Sequence, residues 1–147
     1  MNISILNPSH LAYAAHRLAG IFLMALLSLP LLAWAHSNDY LATIKGAHGG
    51  MVRMAEMYHF ELAVKGGEAH VWVTDHGDVP QPTTGAKATL RLIDANGTVS
   101  VNLTPAASNE LAARDARIKP GKGTKMVLTV TMQGERPLQT RFSLDEK

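Results

Sequence analysis

From Tyr58 to Val73 the chain alternates apolar and polar residues on either side of a Gly66-Gly67 pair, a pattern that admits little besides a β-hairpin. Tyr58, Phe60, Leu62 and Val64 fall on one side of a period of two, and His59, Glu61, Ala63 and Lys65 on the other. A Gly-Gly dipeptide between two such runs supplies the positive-φ pair of a tight hairpin turn. That turn sets the register. Lys65 faces Glu68, Ala63 faces His70, Glu61 faces Trp72, His59 faces Thr74, and Met57 faces His76. Ala69, Val71 and Val73 continue the apolar face, while His70, Trp72, Thr74 and His76 lie opposite.

The same period recurs downstream. Residues 86–94 form an alternating run closed by Asn96-Gly97, and residues 98–104 return with Val99, Val101 and Leu103 inward. Residues 109–118 read as a further strand, although Leu111 to Arg114 also suits a helical turn. Residues 125–133 and 137–144 are the last two runs, with Met126 and Met132 sharing the core parity of Leu128 and Val130. About seven short strands separated by turns predict an all-β fold, a single antiparallel β-sandwich of immunoglobulin-like size over residues 57–147. A small OB-like barrel is the alternative. A length of 147 residues suits one domain, and neither an internal repeat nor a βαβ alternation is present.

Residues 18–34 contain no charge, and Ala33-Trp34-Ala35 places small residues where a signal peptidase reads them. Residues 1–35 are therefore expected to be a signal peptide cleaved after Ala35, and the protein to be periplasmic. An uncleaved anchor is the other reading, since the apolar run is just long enough to span a bilayer. Membrane contact is expected only through that segment. Cleavage makes His36 the N-terminus, with an α-amine beside an imidazole. Residues 36–56, which include Gly46, Gly49 and Gly50, read as a flexible lead-in, with a short helix possible over residues 51–57.

Charge excludes one class of partner. Lys and Arg number 14 against 12 Asp and Glu, and removal of Arg17 with the leader leaves 13 basic residues. No basic cluster interleaved with aromatics appears, so nucleic acid is not expected. Cysteine is absent, which removes disulfides, thiolate zinc sites and cysteine nucleophiles together. No nucleophile elbow, H-E-x-x-H or phosphate loop is present, so the chain reads as a non-enzyme. Asp75 and His76 are neighbours on one strand and point to opposite faces.

Four of the seven histidines lie between His48 and His76. In the hairpin register Met57, His59 and His76 share the outward face, where opposed Cβ atoms are roughly 4.5–5.5 Å apart. Met51, Met54 and Met57 recur every third residue beside His48, so His48, Met51 and Met54 are auxiliary candidates on the lead-in. Thioether plus imidazole without thiolate suits Cu(I) or Ag(I), and Cu(II) where imidazole dominates, with Zn less favoured. His70, one step from the turn, reads as surface. The competing reading makes all these histidines solvated polar residues of an extracytoplasmic interaction module with no metal role.

His48-Gly49-Gly50, Tyr58-His59-Phe60-Glu61-Leu62 and Val71-Trp72-Val73-Thr74-Asp75-His76 together resemble small periplasmic proteins associated with heavy-metal efflux. They are also similar to the N-terminal metal-related domain of some adaptor subunits of tripartite RND metal pumps. Gly85-Ala86, Leu103-Thr104-Pro105 and Arg141-Phe142 extend the likeness over about residues 48–144. The resemblance implies a periplasmic metal-handling role, with His48, His59 and, less directly, His76 at matching positions. It also implies a metal-efflux pump component as partner. Met51 and Met54 have no counterpart in that pattern. The coiled-coil hairpin and lipoyl-like parts of a full adaptor are not found, so a stand-alone domain for metal buffering or handover is expected.

Overall fold

The computed structural model describes residues 38–144; the expected signal peptide and the N-terminus at His36 lie outside them. A one-turn helix α1 (Asn38–Leu41) precedes eight strands. These are β1 (Met51–Ala55), β2 (Tyr58–Lys65), β3 (Glu68–Asp75), β4 (Lys87–Asp94), β5 (Gly97–Ala107), β6 (Glu110–Arg114), β7 (Lys125–Thr131) and β8 (Leu138–Ser143). All pair antiparallel in one sheet of order β1-β2-β3-β6-β5-β4-β7-β8. The fold is all-β, as expected, and the sheet is nearly closed into a barrel.

The hairpin register matches the expectation pair for pair, from Tyr58↔Asp75 to Lys65↔Glu68. Gly66 and Gly67 take φ of 63° and 83°, which residues bearing a Cβ rarely adopt. The β4–β5 turn differs in detail. Asp94 pairs with Gly97, so Ala95 and Asn96 are its central residues and Gly97 opens the strand.

β5 is the longest strand because it serves both halves of the sheet. Its first part pairs with β4 and its last part with β6, with a register shift between Pro105 and Ala107. A bulge at such a corner lets one strand pass from one side of a barrel to the other. Inward residues then meet in one core, including Phe60, Leu62, Val71, Leu90, Leu103, Leu111, Leu128 and Phe142. Met126 and Met132 belong to it, as their parity requires.

Two expectations need correction. Residues 51–57 are not helical, and the lead-in over residues 36–56 is not all flexible linker. Met51–Ala55 is an edge strand paired with β2, from Met51↔Leu62 to Ala55↔Tyr58. This makes eight strands where about seven were expected. Pairing to an exposed strand edge outweighs the weak helix propensity of five residues. β1 and β8 lie side by side without a ladder between them. Side chains bridge the seam: the Arg53 guanidinium lies 5.8 Å from the Phe142 ring centroid, and Tyr58 Oη–H donates to Glu135 Oε1 at 2.6 Å. Arg136 pairs with Glu56 at the same end.

Candidate functional site

β2 is buried on both faces. Phe60 and Leu62 point into the core, but His59 is only 4% exposed and Glu61 7%, although both point outward. The cover is the segment ahead of β1. Asn38 in α1 matches the backbone of Met54, its Oδ1 accepting the Met54 N–H at 2.8 Å and its Nδ2 donating to the Met54 carbonyl at 3.3 Å. Leu41 is buried beneath the helix at 2% exposure. A bridge between Lys45 and Met51 then folds residues 46–50 back over the hairpin.

Glu61 anchors that loop. Its Oε1 accepts the N–H groups of His48 and Gly50, both at 2.8 Å, and its Oε2 lies 2.9 Å from His48 Nδ1. Gly46 and Gly50 permit the approach. A Cβ on Gly46 would overlap the Glu61 carboxyl group, and one on Gly50 would come within 2.7 Å of the Leu62 carbonyl oxygen. A nearly buried carboxylate is tolerable only when donors surround it, and here backbone and imidazole supply them.

A carboxylate can only accept, so His48 Nδ1 carries the proton. In the neutral imidazole the lone pair is then on Nε2. The His48 ring also lies flat on Trp72, with centroids 3.9 Å apart and planes 7° from parallel. His70 stacks more distantly on the same indole, at 5.7 Å. His70 Nδ1 is 2.6 Å from Glu110 Oε1 and its Nε2 is 3.6 Å from Glu68 Oε2. The hydrogen bond to Glu110, followed by that to Glu68, raises the His70 pKa above its ordinary 6.5 against an opposing desolvation effect.

His59 and His76 form a second pair. Their rings stack at 5.2 Å with planes 13° apart. His59 Nδ1 is 3.3 Å from Asp78 Oδ1, and His76 Nε2–H donates to the Glu56 carbonyl at 2.6 Å. Imidazole lone pairs lie in the ring plane, so face-to-face rings do not aim them at one point. Asp75 closes the adjoining turn. The N–H of Val79, then those of Gly77 and the Gln81 amide, hold its carboxyl below the usual carboxylate pKa, against an opposing desolvation effect.

Of the expected ligands, the structure brings His59 together with His76. Met54 stands directly opposite His59 in the β1–β2 register and therefore on its face. Met57 is 67% exposed in the β1–β2 turn, beyond the ladder that was expected to set it against His76. Met51 pairs with Leu62 and packs against the core. His48 lies at the other end of this face, with Glu61 and Trp72. A pocket of about 450 Å³ joins the two ends, its wall including His48, His59, Trp72, Leu41 and Ile44. His48 is singled out from the sequence, but the anchoring role of Glu61 and the covering role of the segment that carries His48 are not. The available signal was the pair Gly46 and Gly50 flanking His48, together with an acid facing Trp72 across the hairpin.

No protein-family model, no curated protein and no solved structure matches the chain.

Proposed function

We propose that the protein is an exported, non-catalytic domain that binds a soft or borderline metal ion for buffering or for handover to an efflux partner. Cu(I) and Ag(I) suit it best, Cu(II) next and Zn(II) least. The observation that carries this reading is His48, whose Nδ1–H is given to a buried carboxylate before any ion arrives. Metal-ligating histidines are commonly oriented in this way, which fixes the tautomer and raises the basicity of the other nitrogen. Trp72 stacked on the ring restricts its rotation. His59 lines the same pocket, and Met54 beside it is the nearest thioether by register. These two imidazoles and one thioether, spread along one face, are the soft donors available to an ion there.

Among the described residues no group of three or more His, Asp or Glu side chains is arranged to hold an ion. Such a site would be open, with few protein donors, unlike the closed four-ligand cage of structural zinc. Few donors favour exchange, which handover requires. Ag(I) titrated into the full chain tests this, with His ring nitrogens and Met methyls followed by NMR. His48 Nε2 is expected to shift within the first equivalent, and His48→Gln to abolish that step while His70→Gln preserves it. If His48, His59 and Met54 all stay still in a folded protein, the reading fails.

The size of the pocket favours a second reading. A volume of about 450 Å³ with Leu41, Ile44, Val52 and Trp72 in its wall exceeds what an ion needs. An interaction module without a metal role would instead seat a small apolar group of its partner there. Indole would then shift Leu41 and Trp72 resonances, and Ag(I) would shift none.

A further inference from the structure

Among the described residues, the outward face of the β5-β4-β7-β8 half of the barrel carries cations and no carboxylate. Register places its side chains in rows across the strands. One row is Asn102, Thr89, Thr129 and Gln139; the next is Ser100, Arg91, Val127 and Arg141; a third is Thr98, Ile93, Lys125 and Ser143. Lys87, opposite Thr131, begins the row on the far side of Thr89. Lys87, Arg91, Lys125 and Arg141 are all exposed. Among the described residues none of the four forms an ion pair, whereas Arg114, Arg117 and Arg136 pair with Glu68, Asp115 and Glu56. The closest carboxylate in sequence, Asp94, is at the hairpin end, where it accepts the Asn96 N–H.

We infer that this face docks on an anionic phospholipid bilayer. Strands about 4.8 Å apart put Arg91 and Arg141, two strands removed in one row, about 10 Å from each other. Lys87 and Arg91, four residues apart on β4, are separated by roughly 13 Å along the strand. Four long, flexible cations over such a patch can each reach a different headgroup phosphate, and the Thr, Ser, Asn and Gln side chains between them suit the headgroup layer. The face has no aromatic side chain, so it lacks the stacking platform of a single-stranded nucleic-acid site. The occupant is therefore a surface that presents many phosphates at once. The pocket of His48 and Trp72 opens from the outward side of β2 and β3, on other strands, so docking leaves it accessible.

The test is co-sedimentation of the full chain with vesicles of phosphatidylcholine and phosphatidylglycerol at roughly two to one, beside pure phosphatidylcholine. Binding is expected to the anionic vesicles alone and to fall steeply with added salt. Each cation neutralised is expected to lower partitioning about fivefold. The variant K87Q/R91Q/K125Q/R141Q should therefore lose binding, while K45Q/K65Q/K119Q, neutralised elsewhere, should keep it. Unchanged far-UV circular dichroism shows that both are folded. Binding to neutral vesicles that the first variant retains would mark insertion through the apolar residues 18–34 and overturn the inference. So would retention on heparin without binding to anionic vesicles, which would move the occupant to a soluble polyanion.

Discussion

Replacing Glu61 tests the covering loop and the orientation of His48 together. Glu61→Ala removes the acceptor of two backbone N–H groups and one imidazole N–H. The Gly50 N–H is buried and loses its partner outright, at a cost of about 1–3 kcal/mol. His48 is 46% exposed, so its two donors recover water and add less. The expected destabilisation is about 2–4 kcal/mol, below the 5–15 kcal/mol of a typical domain, so the variant should fold. Glu61→Gln separates shape from charge. Its amide oxygen can still accept both backbone N–H groups, but its NH₂ then meets His48 Nδ1–H, donor against donor. The ring resolves this by moving its proton to Nε2, which removes the lone pair proposed as the metal donor. Stability should fall by only about 1–2 kcal/mol. Urea unfolding gives the first quantity, and long-range ¹H–¹⁵N correlation of the His48 ring gives the tautomer. Loss of less than about 1 kcal/mol in Glu61→Ala, or an unchanged Nδ1–H tautomer in Glu61→Gln, would refute the reasoning.

Three further outcomes follow from the same geometry. Gly50→Ala presses a Cβ to 2.7 Å from the Leu62 carbonyl oxygen, a backbone atom that cannot swing aside. It should cost about 1–3 kcal/mol in urea unfolding and free the His48 ring from Trp72. Asn38→Ala unpins α1 from the edge of β1, and amide exchange at Met54 should accelerate several-fold while Val71 in the central hairpin keeps its protection. His70 has its pKa raised above 6.5 by Glu110 first and Glu68 second. The stabilisation is therefore complete below the unfolded value near 6.5 and disappears as pH rises through the folded value. Relative to His70→Gln, the parent's denaturation midpoint should fall across that interval, and parallel profiles would exclude the contribution.

The hairpin was legible because Gly66-Gly67 leaves a single tight register, and the pairs from Tyr58↔Asp75 to Lys65↔Glu68 occur as expected, while the expected Met57–His76 pair lies beyond the ladder. Core parity was legible for the same reason. With a period of two, Met126, Leu128, Val130 and Met132 share one side whatever their neighbours are. β1 was hidden. Met-Val-Arg-Met-Ala is too short for periodicity to outweigh helix propensity, and Arg53 falls on the inward side. An inward arginine argues against a strand until the seam is known. There its guanidinium lies over Phe142 and its Nη1 donates to the Val52 carbonyl at 2.7 Å.

Losing β1 also obscures the site. If residues 36–56 are a mobile lead-in, His59 and Glu61 occupy a wet face and Met57, His59 and His76 become its natural ligand set. Once β1 extends the sheet, the chain ahead of it has to run somewhere, and the Lys45–Met51 bridge turns it across that face. His59 and Glu61 then become buried polar groups that must be satisfied, which accounts for the glycines around His48 better than flexibility does. Flexibility would be served by glycine anywhere in the linker. Close approach requires it at Gly46 and Gly50 in particular, where a Cβ would strike Glu61 or the backbone of β2. Met57 is in solvent and His76 is held against the Glu56 carbonyl, whereas a buried acid fixes which nitrogen of His48 keeps its lone pair, so His48 is the better-oriented candidate ligand.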